Sequence, residues 1–102
     1  MSQDQPLPSA ASKSKAVTQT PPLFKVLMHN DDYTTMEFVV EVLRLVFQQS
    51  ETAAERIMLA IHFQGIGHCG TYPFAIAETK VQEVRSRARK AGFPLRCSIE
   101  KE

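Results

Sequence analysis

Cysteine is scarce in this 102-residue chain: only Cys69 and Cys97 occur, and they form no CxxC pair. That spacing offers no disulfide framework and no paired-cysteine zinc site. The N-terminus also lacks the charged and apolar regions of an export signal, so both thiols are expected free in a cytoplasmic compartment. A dominant charge sign is missing too. Twelve Lys and Arg stand against 11 Asp and Glu, a formal charge of +1, which leaves no large electrostatic attraction to nucleic acid or to an anionic membrane. No apolar stretch approaches the roughly 18 residues of a membrane-spanning helix. The glycines, four in all, build neither a Gly-x-Ser-x-Gly elbow nor a phosphate-cradling loop. His68 adjoins Cys69, but adjacency in sequence does not set a base against a thiolate. His29, Asp31, Asp32, His62, His68 and Cys69 are potential ligands without HExxH or CxxC spacing, and Asp31 and Asp32, as extended neighbours, tend to point apart. No metal, cofactor or catalytic activity is expected.

What the chain does have is a hydrophobic fraction of 43%, enough for one modest core. Residues 1–22 are rich in Ser, Gln, Ala, Lys and Pro and hold only Leu7 and Val17 as scattered large aliphatics, the composition of a flexible extension. A single domain is expected over 23–102. Residues 24–29 alternate as a strand, with Phe24, Val26 and Met28 on one face. Met36, Val39, Val40, Leu43, Val46 and Phe47 then recur at helical spacing, and Thr34 with Glu37 has the spacing of a capping box. Ser50 or Thr52 can cap a second helix carrying Ala54, Ile57, Met58 and Ile61 and ending at Gly65. Gly65, Gly67 and Gly70 read as loop, and residues 69–74 as a strand in which Pro73 suits an edge or a strand end. A third helix with Ile76, Ala77, Val81, Val84 and Ala88 stops at Gly92, and Leu95, Cys97 and Ile99 alternate as a last strand. The expected fold class is α/β in the α+β sandwich sense, a small three-stranded antiparallel sheet covered by three helices in the order β-α-α-β-α-β. The basic run Arg85, Arg87, Arg89, Lys90 has no interleaved aromatic residue and reads as a solvated helix face.

The most informative run is Asn30-Asp31-Asp32-Tyr33-Thr34-Thr35-Met36-Glu37-Phe38, acceptor-rich residues at a strand-to-helix junction. Two readings stand together. The cluster makes a turn through its own backbone hydrogen bonds, or it holds a cation, with His62 on the second helix facing the same small cavity.

Residues 22–101 closely resemble the ClpS family, adaptors of the bacterial Clp protease. The match is carried by Lys25-Val26-Leu27-Met28-His29-Asn30-Asp31-Asp32-Tyr33-Thr34, Met36-Glu37-Phe38-Val39, Ala60-Ile61-His62, Gln64-Gly65, Cys69-Gly70, Ala77-Glu78-Thr79-Lys80-Val81 and Pro94-Leu95. The resemblance implies a non-catalytic, monomeric adaptor that binds proteins with a bulky N-terminal residue (Phe, Leu, Tyr or Trp) and hands them to the N-domain of the ClpA unfoldase for degradation by ClpP. It implies that Asn30, Asp31 and His62 hold the substrate's α-amino group. Asp32, Thr34, Met36, Val39, Met58, Ile61 and Leu95 would shape the cavity for its first side chain, with Met36 gating against β-branched residues. Glu78, Thr79 and Lys80 would dock on the unfoldase. Thr35 stands where the family commonly has Pro, Ile61 where Val is common, and Ala75 where Glu is often found.

Overall fold

A computed structural model describes residues 20–102, so the extension expected over 1–22 lies outside the described residues up to residue 19. The elements are β1 (Leu23–His29), α1 (Met36–Leu45), α2 (Glu51–Gln64), β2 (Ile66–Pro73), α3 (Phe74–Ala91) and β3 (Arg96–Lys101). This is the expected order. The sheet is antiparallel throughout, with β1 between β2 and β3.

Alternation along β1 turns Val26 and Met28 inward, both fully buried, while Leu27 between them stays partly exposed. The helices cover that inner face with Val39, Val42 and Leu43 from α1, Ala54 and Ile61 from α2, and Ala77, Val81, Val84 and Ala88 from α3. Full burial of a side chain such as Met28 or Leu43 stabilises the fold by about 1.5–3 kcal/mol. Among the described residues no polar or charged side chain is buried, so all polar chemistry sits at the surface. The helical stripes also overshoot the core at their first residues. Met36 is 43% and Ile76 48% exposed.

Local chemistry differs from expectation in two places, the cap of α1 and the start of β2, and settles a third, the cap of α2. The cap of α1 is Thr35 rather than Thr34: the Phe38 N–H donates to its Oγ1 at 3.1 Å, while the Thr34 hydroxyl is engaged by Asp31. Ser50, not Thr52, caps α2, accepting from the Ala53 N–H at 3.1 Å. Strand β2 begins at Ile66, ahead of residue 69, because Gly67 pairs with Met28 instead of forming a loop. Glycine is needed there because α2 lies directly on the strand: a Cβ at position 67 would meet Ile61 Cγ1 at 2.5 Å and Ile57 Cγ2 at 3.2 Å. Two residues further, Val26 faces Gly70 and Leu27 faces His68, which leaves Cys69 as the extra residue of a β-bulge. The glycine stops of α2 and α3 are as expected, with Gly65 and Gly92 at φ 90° and 83°.

On α3, Arg85, Arg89 and Lys90 are exposed, and Arg87 pairs with Glu83 at 3.2 Å across one helical turn. An exposed pair of this kind stabilises by only about 0.3–0.5 kcal/mol.

Candidate functional site

The loop that leaves β1 is tied to the end of α2 by a bond from the Asn30 N–H to the Gly65 carbonyl, 3.0 Å long. That bond sets the acceptor-rich loop beside the last turn of α2, where His62 stands. Asp31 then organises the loop. Its Oδ1 accepts from the N–H groups of Tyr33 (2.8 Å) and Thr34 (2.7 Å), and the Thr34 hydroxyl donates to its Oδ2 at 2.7 Å. Burial pushes the Asp31 carboxyl up, but the bonds from Thr34 and Tyr33 outweigh it and hold the group below the ordinary aspartate value. The turn and the anion are therefore the same object: the bonds that fold the loop also keep the carboxylate ionised.

Between loop and helices lies a hollow of about 240 Å³. Asn30, Asp31, Asp32 and Thr34 line it from the loop, Met36 and Val39 from α1, and Met58, Ile61 and His62 from α2. The spacing i, i+3 on α1 and i, i+3, i+4 on α2 brings each set to one helix face. Asn30 and His62 are exposed, and the His62 ring meets Phe63 edge-on with centroids 4.8 Å apart. The loop thus contributes only polar groups to the hollow, and the helices contribute four apolar side chains and the His62 imidazole.

Leu95 is not among these lining residues. It precedes β3 beneath α3, is buried in the core, and borders a different hollow with Val81 and Cys97. Glu78, Thr79 and Lys80 point about 100° apart from one to the next, as consecutive helical residues do. Glu78 and Thr79 are exposed, Thr79 donating back to the Ala75 carbonyl at 3.0 Å. Lys80 turns inward: its Nζ donates to the Val46 carbonyl at 2.7 Å and to Gln48 Oε1 at 3.1 Å, and lies 5.3 Å from the Tyr72 ring centroid. Gln48 holds a left-handed φ of 52° and donates from Nε2 to the Leu45 carbonyl at 3.1 Å. Lys80 and Gln48 together close the carbonyl end of α1, where a cation is also favoured by the helix dipole. Sequence reasoning missed this clamp and the role of Gly67. The sole signals were a Gln pair after the helix and a glycine between two strand-forming residues.

His29 lies outside the hollow. Its Nε2 is 2.6 Å from Ser98 Oγ, and burial, helped by Arg96, lowers its pKa. No three His, Cys, Asp or Glu residues among the described ones gather as metal ligands. No described helix is long and apolar enough to cross a membrane.

Fold and hollow together define a small α+β domain with a recess lined by both acceptor-rich and apolar side chains. Comparison with known proteins makes the class specific. Residues 19–98 match the family model described as ATP-dependent Clp protease adaptor protein ClpS. The chain is 58% identical to the Clp protease adapter protein ClpS of Nitratidesulfovibrio vulgaris (strain Miyazaki F) over 80 residues, which is 78% of this chain and 80% of that one. Its identity to the ClpS of Maricaulis maris is 52% over 92 residues, 90% and 84% of the two chains. The solved structure of Agrobacterium tumefaciens ClpS2 bound to L-phenylalaninamide is similar at a TM-score of 0.78 and 42% identity, covering 81% of this chain and 100% of that one. The chain belongs to the ClpS family. It is a Clp protease adaptor and not a catalyst.

Proposed function

We propose that the hollow receives the first residue of a polypeptide that begins with Phe, Leu, Tyr or Trp, and that the adaptor delivers such chains to the ClpA unfoldase in the cytoplasm. In this reading Asn30, Asp31 and His62 hold the α-ammonium, Asp32, Thr34, Met36, Val39, Met58 and Ile61 surround the first side chain, and the protein acts as a monomer. Glu78, Thr79 and Lys80, on α3, offer the docking contacts on the unfoldase N-domain.

The observation that carries the reading is that an ionised carboxylate, an amide and an imidazole line one 240 Å³ hollow together with Met36, Val39, Met58 and Ile61. That volume is below the roughly 300–1,000 Å³ of pockets for drug-sized ligands and suits one side chain. The α-amino group has a pKa near 8 and three N–H donors, and each bond to a charged group contributes about 1.5–3 kcal/mol. Burying an aromatic side chain of about 150–250 Å² adds on the order of 4–6 kcal/mol before association losses. Neither part alone reaches the roughly 8 kcal/mol of micromolar binding once those losses are met. An internal Phe lacks the ammonium and an N-terminal Ala lacks the area. The bound L-phenylalaninamide of the Agrobacterium tumefaciens relative has both features, which supports the same chemistry here.

The deciding experiment compares peptides identical except for an acetyl group on the first residue, by fluorescence anisotropy. The free peptide binds and the acetylated one loses most of its affinity. Equal affinities would instead make this a peptide-interaction module with no selectivity for chain ends.

A further inference from the structure

Beside the hollow, between α1 and α2, runs a larger groove of about 660 Å³. Its floor includes Val40, Leu45 and Leu59, and the two leucines are 50% and 46% exposed. Single exposed leucines need no explanation, but these share one concave surface. Met36 and Met58 line both groove and hollow, so the two adjoin at a pair of flexible thioether side chains. The groove carries exposed Glu37, Glu41 and Glu55 against a single cation, Arg44.

We propose that this groove is a second binding site, for the stretch of substrate polypeptide that follows the residue seated in the hollow, and that it favours large apolar and cationic side chains there. The inference rests on the reading of the hollow given above. Continuity is its first support: the pair Met36 and Met58 is where a chain passing from hollow to groove would cross. Length is the second. From Met36 to Leu45, α1 advances about 13 Å at 1.5 Å per residue, which an extended chain covers in about four residues at 3.3 Å each. The groove thus corresponds to positions three to six of the substrate. Charge is the third, since three carboxylates around an apolar floor suit Lys or Arg beside Leu or Phe and repel Glu and Asp. Methionine walls adapt to varied apolar partners, which fits an adaptor that must accept many sequences.

The test uses L-phenylalaninamide and eight-residue peptides that all begin Phe-Ser. Positions three to six carry Leu and Lys, Gly and Ser, or Leu and Glu, and Kd is measured by calorimetry at low and at high salt. The Leu/Lys peptide binds about fivefold or more tighter than the Gly/Ser peptide, and the advantage shrinks as salt screens the exposed charges. Glu41→Lys reverses the order of the Lys and Glu peptides, Leu59→Ser reduces the gain from leucine, and neither changes the affinity for L-phenylalaninamide. Indifference to positions three to six, with the need for a free N-terminal Phe intact, overturns the groove and leaves the hollow standing. Failure of L-phenylalaninamide itself to bind overturns the reading of the hollow, and the inference with it. Equal binding of the Leu/Lys peptide after its N-terminus is acetylated makes the groove an independent site and overturns the path proposed for the substrate.

Discussion

The two ends of α1 are finished in opposite ways. At its N-terminal end, Thr35 caps the helix and Asp31 folds the preceding loop, yet Asn30, the Asp31 charge and His62 remain turned toward an open hollow. At its C-terminal end, Gln48 and the Lys80 ammonium occupy the Leu45 and Val46 carbonyls, and the Gln49 side chain reaches on to donate to the Cys69 carbonyl at 2.8 Å. One end keeps polar capacity for a ligand and the other spends it on the fold. The same helix is therefore a binding element over its first turns and a structural one over its last. A charged residue matched to a family motif can belong to either kind.

This contrast breaks most visibly at Asp31. Asp31→Ala removes a charge and three accepted hydrogen bonds, and the affinity for a Phe-initiated peptide falls by about 3 kcal/mol, on the order of 100-fold. A Kd within a fewfold of the parent, measured by anisotropy, would show that the loop only turns the chain. Gly67→Ala acts on the element behind the hollow: with Ile61 in the way of the new methyl, stability drops by about 1–3 kcal/mol, read as a lowered urea midpoint. A midpoint equal to the parent's would mean that α2 can lift off β2 freely.

Lys80→Met sharpens the other side of the comparison. It leaves the Val46 and Gln48 acceptors without their cation and lowers stability by about 1–2 kcal/mol, while peptide affinity stays the same. A parallel loss of affinity would show that the two ends of α1 are coupled. The smallest effect is that of pH within the neutral range. Asp31 has a folded pKa below its ordinary 3.8, so its contribution to stability is fully present above that value and is lost only as pH falls through the lowered one. His29, lowered from 6.5, likewise contributes above 6.5 and loses that contribution as pH falls below it. A urea midpoint measured from pH 8 to pH 3 should thus decline first below about 6.5 and again below about 4. A midpoint that rises on acidification from 7 to 5 would contradict the His29 environment.

The order of elements and nearly all of the hollow were legible in the sequence, because helical spacing, glycine stops and Asx-type turns are local signals. Met58, Ile61 and His62 needed only the i, i+3, i+4 rule to share a face. The place of Leu95 was not legible in this way, since it depends on how β3 pairs with β1, and no local pattern records that. The cap went to Thr35 and not Thr34 because Asp31 competes for the Thr34 hydroxyl, a contest that spacing alone does not decide. The structural bonds of Lys80 were not legible because its partners lie 32 and 34 residues away in sequence. Gly67 looked like loop because the helix that demands a missing side chain comes from another layer of the fold.

At Gly67 a helix rests on a strand with no spacer whose bulk mutation can tune. In any lineage that keeps this seating, the height at which Ile61 stands is inherited with the backbone, whereas the side chains of α1 and α2 around it remain free to be exchanged.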